Sequence, residues 1–427
     1  MSVKILATGD LHIGKKSSGL INDAEEIATK YSWGRIIDYV INNNFQILVL
    51  TGDIVDRDNR YFEAIGPLQT GFKRLQEANI SVFIVAGNHD YDVLRQTVDQ
   101  TKNDNIHFLG VNGQWELSTI SVDGQPIRFV GWSFPSQHVA TNPLSDLNID
   151  HQDIPTIGLL HTDLDSNNSH YAPVRTDNFL EHPVDVWILG HIHKPQIIRD
   201  TPPLIRYPGS PHALSAKEQG MHGPLQIIVD SKHNIHIDQV PLSPVRYETL
   251  SINITEALNE EDLRKLFLDS ILHFKDDKKS DLLEVRYLIL DIVLTGEHPN
   301  IGNIEAWMST IRDNFNYEEG MNITVRKVDF DIMPTVGHLA DLAKESSPAG
   351  LLAETILAIQ NGQKTPLLSN LINKWKNNAT RINDSTVFHR LKTTHRIIEP
   401  DDNAAKSHLL AQCRRLLSEL LIQKSEK

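Results

Sequence analysis

Short apolar runs recur through the first half of the chain, and several end at a glycine followed by charged or imidazole side chains. Residues 3–8 (Val-Lys-Ile-Leu-Ala-Thr) read as a buried strand that stops at Gly9. Residues 22–44 place Ile27, Tyr31, Ile36, Ile37, Val40 and Ile41 near helical spacing and predict a helix. A strand over 45–50 then runs into Thr51-Gly52, and a helix is expected over roughly 61–78. The run 80–86 (Ile-Ser-Val-Phe-Ile-Val-Ala) predicts a third strand, which ends at Gly87. The order β-α-β-α-β predicts a largely parallel sheet with its site along the edge where the strands end.

From residue 106 the pattern shifts to shorter strands, at 106–109, 115–122, 127–132 and 156–160. A helix near 176–181 precedes a strand at 184–189 that ends in Gly190. Tyr207-Pro208-Gly209-Ser210 reads as a turn, and 225–230 with 234–240 as a hairpin closing a second sheet. A domain boundary is expected near Pro241–Pro244. Residues 245–330 then alternate strand 247–253, helix 256–273, strand 282–294, helix 302–314 and strand 321–328. Pro334 and Ser346-Ser347-Pro348 punctuate a helical remainder. Within it, Leu409, Leu410, Cys413, Leu416, Leu417, Leu420 and Leu421 form an apolar stripe over 404–424. That stripe packs inside the chain or meets a partner. The domains expected are therefore 1–243, 244–331 and 332–427.

Composition narrows the classes. A chain of 427 residues suits two or three domains. No long apolar run predicts a membrane span, and the N-terminus lacks the pattern of a signal peptide. With Cys413 the single cysteine, no intrachain disulfide can form, and a reducing cytoplasm is the expected location. The net charge of −14 argues against a freestanding nucleic-acid-binding module. It does not exclude a nuclease whose metals supply local positive charge. The acidity is uneven, because residues 361–427 hold 12 Lys/Arg against 6 Asp/Glu.

The strand ends deliver Asp10, His12, Asp53, Asn88, His89, His161, His191 and His193. Each motif alone has a bland reading as a turn; their recurrence, each after an apolar run, does not. Oxygen donors mixed with imidazoles suit Mn²⁺, Fe or Zn²⁺ rather than Ca²⁺. Asp-x-His and His-x-His each put two donors on one side of an extended turn, which suits two neighbouring ions and displacement at phosphorus. Other residues are read more plainly. His170 and His212 are expected at the surface rather than lining a substrate groove, His233 and His236 in solvent, and Trp33, Trp132 and Trp187 in the core.

Gly9-Asp10-Leu11-His12, Gly52-Asp53, Gly87-Asn88-His89-Asp90, His161 and Gly190-His191-Ile192-His193 together resemble the calcineurin-like metallophosphoesterase superfamily. The run Gly190-His191-Ile192-His193-Lys194 and Tyr207-Pro208-Gly209-Ser210 resemble its DNA repair exonuclease branch, typified by SbcD. His170-Tyr171-Ala172-Pro173 and Gly220-Met221-His222-Gly223-Pro224 look closer still to the YhaO-like subgroup. The superfamily likeness covers about residues 1–240, and the branch likeness runs to about 330.

The resemblance implies an α/β fold: a metallophosphoesterase β-sandwich flanked by helices, then a small α+β cap and a helical C-terminal region. It implies two divalent metal ions, with Mn²⁺ the expected metal. One would be held by Asp10, His12, Asp53 and His193, the other by Asp53, Asn88, His161 and His191. His89 would act as general acid, Asp56 would orient it, and Arg57 would contact phosphate. Archaeal and eukaryotic repair nucleases tend to carry His at the place of Asp56, so the likeness to their exonuclease behaviour is weaker there.

The resulting expectation is a dinuclear-metal phosphodiesterase, a DNA exonuclease or endonuclease subunit acting in DNA repair or processing with an SMC-like coiled-coil ATPase (SbcC-like), with a homodimer left open and no membrane. Two other readings stand beside it. One is a small-substrate phosphatase or cyclic-nucleotide phosphodiesterase. The other is an architectural or regulatory subunit of an ATPase complex.

Overall fold

A computed structural model describes residues 2–18, 28–56, 64–101, 103–166, 168–299, 301–315, 320–334, 339–383 and 401–425. The chain divides into two compact units. The first comprises Met1–Thr249, Phe274–Asp291 and Asn316–Arg326, and the second Leu250–His273, Ile292–Phe315 and Lys327–Lys427.

The first unit is a sandwich of two six-stranded sheets. In chain order it contains β1 (Val3–Thr8), α1 (Thr29–Asn42), β2 (Ile47–Thr51), α2 (Ile65–Glu77), β3 (Ser81–Val85), α3 (Leu94–Thr101) and β4 (Ile106–Phe108). There follow β5 (Glu116–Val122), β6 (Gln125–Trp132), β7 (Thr156–His161), β8 (Val186–Gly190), β9 (Gln196–Arg199), β10 (Leu204–Tyr207), β11 (Leu225–Val229) and β12 (Ile235–Gln239). One sheet has the order β12-β11-β1-β2-β3-β4 and the other β5-β6-β7-β8-β10-β9. The strands β1 to β4 run parallel, as do β6, β7, β8 and β10. The antiparallel strands β11 and β12 close one edge of the first sheet, and the antiparallel β5 and β9 close the two edges of the second.

Period-two alternation decides which side chain meets which layer. Ile5, Ala7, Ile47, Val49, Phe83 and Val85 face inward and pack with Phe129, Ile157, Leu159, Val186 and Ile188 of the other sheet. The Phe83 and Phe129 rings stack at 3.8 Å. The alternate residues Leu6, Leu48, Leu50, Val82 and Ile84 face outward, onto Trp33, Ile36, Ile37, Leu68 and Phe72 of α1 and α2. Trp132 and Trp187 are buried on the outer side of the second sheet.

Two expectations are corrected. The 225–240 hairpin does not close the second sheet: β11 pairs with β1 and so extends the first. The helix near 176–181 is a single 3₁₀ segment, Thr176–Glu181. The strands β9 and β10, which precede the expected turn at Tyr207–Ser210, were not anticipated.

β13 (Val245–Asn253), β14 (Tyr287–His298) and β15 (Asn322–Pro334) form a three-stranded sheet whose residues are divided between the two units. With them run α4 (Glu260–Asp277) and α5 (Ile301–Asp313). The second unit also holds α6 (Leu339–Leu342), α7 (Pro348–Gln360), α8 (Pro366–Asn383) and α9 (Asp402–Ser425). The stripe expected over 404–424 is an internal packing face. Cys413 and Leu417 are buried against Ala353 and Ile356, and Ala405 against Ala358, Leu368 and Ile372. Leu416 is the exception and stands half exposed. None of the described helices is long and apolar enough to cross a membrane.

Candidate metal centre

Five strands bring their C-terminal ends to one place. β1 leads to Asp10 and His12, β2 to Asp53 and Asp56, and β3 to Asn88 and His89; β7 ends in His161, and β8 leads to His191 and His193. This is where an α/β sheet gathers ligands. The turns after β1 and β2 are zipped together, the N–H groups of Asp10, His12 and Ile13 donating to the carbonyls of Gly52, Asp53 and Ile54. Asp90 ties the β2 and β3 turns: its carboxylate accepts from Gly87 N at 2.8 Å, Ile54 N at 2.7 Å and Val55 N at 3.3 Å.

Glycine is required where these turns meet. A Cβ on Gly190 would lie 2.1 Å from the Thr51 carbonyl oxygen, and one on Gly87 2.2 Å from Asp53 Oδ1. Strain sits here too. Asp10, His12, Asp53 and His191 have φ of 49°, 44°, 52° and 101°. Such angles are uncommon in residues with a Cβ and are associated with sites held by their surroundings.

Three imidazoles are held at Nδ1, which leaves each Nε2 for the site. His161 Nδ1 lies 3.0 Å from the Thr51 carbonyl, which can only accept, so Nδ1 carries the proton. His12 Nδ1 faces Asp56 Oδ1 at 3.2 Å, and His193 Nδ1 faces Glu218 Oε1 at 3.2 Å. His161 Nε2 then points at two acceptors, Asn88 Oδ1 at 3.1 Å and Asp53 Oδ2 at 3.4 Å. His12 Nε2 stands 3.1 Å from His193 Nε2 and 3.8 Å from Asp53 Oδ2. Asp10 lies with His12 and His193 in one potential metal-binding group and with Asp53 and His161 in another.

Lone pairs that converge in a buried place need a cation. Burial alone would lower the His161 pKa, but Asp53 and then Asp10 outweigh it and hold it up at about 9. His193 is likewise raised, its burial offset by the hydrogen bond to Glu218, whereas burial lowers His12. The Asp53 carboxyl, which burial would raise, is held far below its usual range by His161 and His12. Burial pushes Asp90 up to about 7, with Asp53 adding to the effect. His191 is pushed down to about 3 by burial and by the charge of His161.

The donor set fits divalent ions. Imidazole nitrogens bound at right angles on one ion, at about 2.1 Å each, would lie about 3.0 Å apart. The separation of His12 Nε2 and His193 Nε2 is 3.1 Å. Buried Asp53, a member of the second group, also reaches His12 of the first at 3.8 Å through Oδ2, and its other oxygen accepts the His89 N–H at 2.8 Å. The His89 ring is about a third exposed, with Nδ1 3.6 Å from Asp56 Oδ1. Asp56 is thus nearer to His12 than to His89, and it also receives Lys15 Nζ at 2.8 Å.

All the expected site residues from Asp10 to His193 converge except Arg57, which lies outside the described residues. Two further participants were missed. Lys15 follows His12 by three positions, and a cation so close to the first motif could have been noticed. Glu218 lies in a loop with no motif of its own. Of the histidines expected at the surface, His170 is exposed but His212 is buried between Ser17 and Ser32, 2.7 Å from each hydroxyl. His233 and His236 are exposed as expected.

The calcineurin-like phosphoesterase family matches residues 3–195. The Bacillus subtilis (strain 168) protein "Uncharacterized metallophosphoesterase YhaO" is 28% identical over 324 residues, which span 73% of this chain and 77% of that one. The SbcD subunit of nuclease SbcCD from the same organism is 25% identical over 54% of this chain and 66% of its own length. The DNA double-strand break repair protein Mre11 of Sulfurisphaera tokodaii is 24% identical over 79% of this chain and 86% of that protein. The family match and the five ligand-bearing strand ends coincide, and this chain therefore carries a calcineurin-like metallophosphoesterase domain, the domain of a metal-dependent phosphoester hydrolase, with YhaO, SbcD and Mre11 proteins among its relatives.

Proposed function

We propose that this chain is a two-metal phosphodiesterase that acts on DNA. The observation that carries the chemistry is the convergence of the His12 and His161 Nε2 atoms on the buried Asp53 carboxylate, with His193 Nε2 3.1 Å from His12 Nε2. One ion is assigned to Asp10, His12, Asp53 and His193, and the other to Asp53, Asn88, His161 and His191. The mixed oxygen and imidazole donors suit Mn²⁺, Fe or Zn²⁺, and the resemblance to the repair-nuclease branch favours Mn²⁺ among them. Bound there, two such ions would supply an activated water and shield the charge that builds on phosphorus.

The chain's own residues divide the remaining work. Asp53 Oδ1 holds the His89 main chain, which keeps that half-open imidazole beside the centre. From there His89 would donate a proton to the leaving oxygen, a step worth about 10²–10⁴-fold in rate. Asp56 accepts from His12 and Lys15 and lies within 3.6 Å of His89, so one carboxylate oxygen orients a ligand and faces the acid. Arg57 is assigned to the substrate phosphate. DNA as substrate is supported by the SbcD and Mre11 relatives.

A partner is part of the proposal. One relative is named as part of a nuclease complex, and phosphate contacts dominate DNA affinity, which a chain of net charge −14 supplies poorly alone. An SMC-like coiled-coil ATPase would provide that surface. A second reading, a small-substrate phosphodiesterase, draws on Asp56 itself, because the form Gly52-Asp53-x-x-Asp56-Arg57 also resembles that of phosphatases. Mn²⁺-loaded protein assayed on linear duplex DNA and on bis(4-nitrophenyl) phosphate separates the two. Cleavage of both supports a nuclease. Turnover of the aryl ester alone, with the ATPase partner present, would establish the second reading.

A further inference from the structure

A ligating histidine has two unequal ring nitrogens, and the partner of one sets the tautomer and aim of the other. For His161 that partner is the Thr51 carbonyl, and for His12 it is Asp56. Both belong to the end of β2, beside Asp53. His193 has a partner from elsewhere: Glu218 Oε1, 3.2 Å from Nδ1 and 25 residues further along the chain.

Glu218 is built as an acceptor. Its Oε2 receives the Leu214 N–H at 2.8 Å and the Ser210 hydroxyl at 3.1 Å. Those donors leave Oε1 for His193 and keep the carboxylate in one orientation. The side chain is 12% exposed, so water competes little for it. The loop that carries it is anchored on both sides. The Glu218 N–H donates to Ser215 O, the Ser18 N–H to Leu214 O, and the Gly220 N–H to Tyr247 O. His212, six residues before Glu218, is held between Ser17 and Ser32. Nothing in this arrangement follows from the turn motifs at the strand ends.

We propose that Glu218 is a positioning residue of the metal centre: it accepts the Nδ1 proton of His193, fixes that ring, and directs the Nε2 lone pair onto the ion shared with Asp10 and His12. The inference rests on the reading of His193 as a ligand. A carboxylate in this place also makes the imidazole a stronger donor, and loss of such a partner typically weakens metal binding about 10–100-fold.

Two variants test it. Glu218→Gln keeps an acceptor oxygen and the side-chain length, so the loop bonds survive while the charge is lost. Glu218→Ala removes both. Metal-free wild type and variants are titrated with Mn²⁺ by calorimetry and by electron paramagnetic resonance. The wild type is expected to bind two ions as a spin-coupled pair. Glu218→Gln should melt at the wild-type temperature, yet bind one of the two ions about 10–100-fold more weakly. At intermediate Mn²⁺ the signal of an isolated ion should then replace that of the pair. In ¹⁵N-histidine spectra of the metal-free proteins, His193 should be a single tautomer in the wild type and a mixture in Glu218→Gln. Wild-type affinity for both ions in Glu218→Gln and Glu218→Ala would overturn the role of Glu218. Wild-type Mn²⁺ affinity in His193→Ala would instead remove the ligand assignment beneath it.

Discussion

Gly87→Ala puts the smallest perturbation where the account is most sensitive. The new Cβ would lie 2.2 Å from Asp53 Oδ1, 2.7 Å from Asp53 N and 2.8 Å from Asp53 Cγ. Carbon and oxygen in ordinary contact are more than about 3.2 Å apart, so the carboxylate must retreat by about 1 Å. It has little room. Asp53 is buried, its backbone is already at φ 52°, and its Oδ1 is engaged by the His89 N–H. Overpacking of this kind costs about 1–3 kcal/mol of stability. The larger effect falls on function, because a 1 Å misplacement of a reacting constellation can lower the rate by about 10²-fold. The shared ligand would move away from both ions together. Mn²⁺ affinity by calorimetry and turnover of bis(4-nitrophenyl) phosphate should therefore fall together. Gly66→Ala, where an added Cβ meets nothing within 4 Å, serves as the control. A Gly87→Ala protein with wild-type affinity for both ions and wild-type turnover would refute the central place given to Asp53.

Three further outcomes follow. His161 is held at about 9 in the metal-free protein, so its stabilising proton is fully present below about pH 6.5 and is lost as pH rises through 9. Metal-free protein should lose thermal stability between pH 7 and about 9, and Mn²⁺ binding near pH 8 should release about one proton, read from calorimetry in buffers of different ionisation enthalpy. His89→Ala should keep both ions but lose about 10²–10⁴-fold in turnover, with little loss of melting temperature; weakened metal binding would make His89 a ligand rather than an acid. Leu417→Ala, in the buried face of α9, should lower stability by about 2–5 kcal/mol in denaturant titration without altering Mn²⁺ affinity.

The candidate centre was legible in the sequence because its residues, His161 apart, sit in turns, where a glycine followed by Asp, Asn or His after an apolar run stands out; His161 ends the apolar run of β7 itself. The same rule found β1, β2, β3, β7 and β8, whose residues are buried on both faces and so read as continuous apolar runs. Legibility failed where tertiary contacts decide. Nothing local marks Glu218 as the partner of His193, since the two meet through a loop closure 25 residues long. His212 looked like a surface residue because its polarity hides the two serines that enclose it. The 225–240 hairpin was recognised as a hairpin, but its sheet depends on the pairing of β11 with the distant β1. β9 and β10 have only four residues each, too short for periodicity to register. The α9 stripe was clear as a pattern, while its partner could be seen only in the packing of α7 and α8.

The central claim is a pair of ions bridged by one carboxylate. Electron paramagnetic resonance of Mn²⁺-loaded protein, read with total metal analysis, tests it directly. Two ions per chain are expected, with the spin coupling of centres about 3.5–4 Å apart, and the coupled signal is expected to be lost in Asp53→Ala. A coupled pair that persists in Asp53→Ala, or a wild-type protein that binds a single ion at saturation, would contradict it.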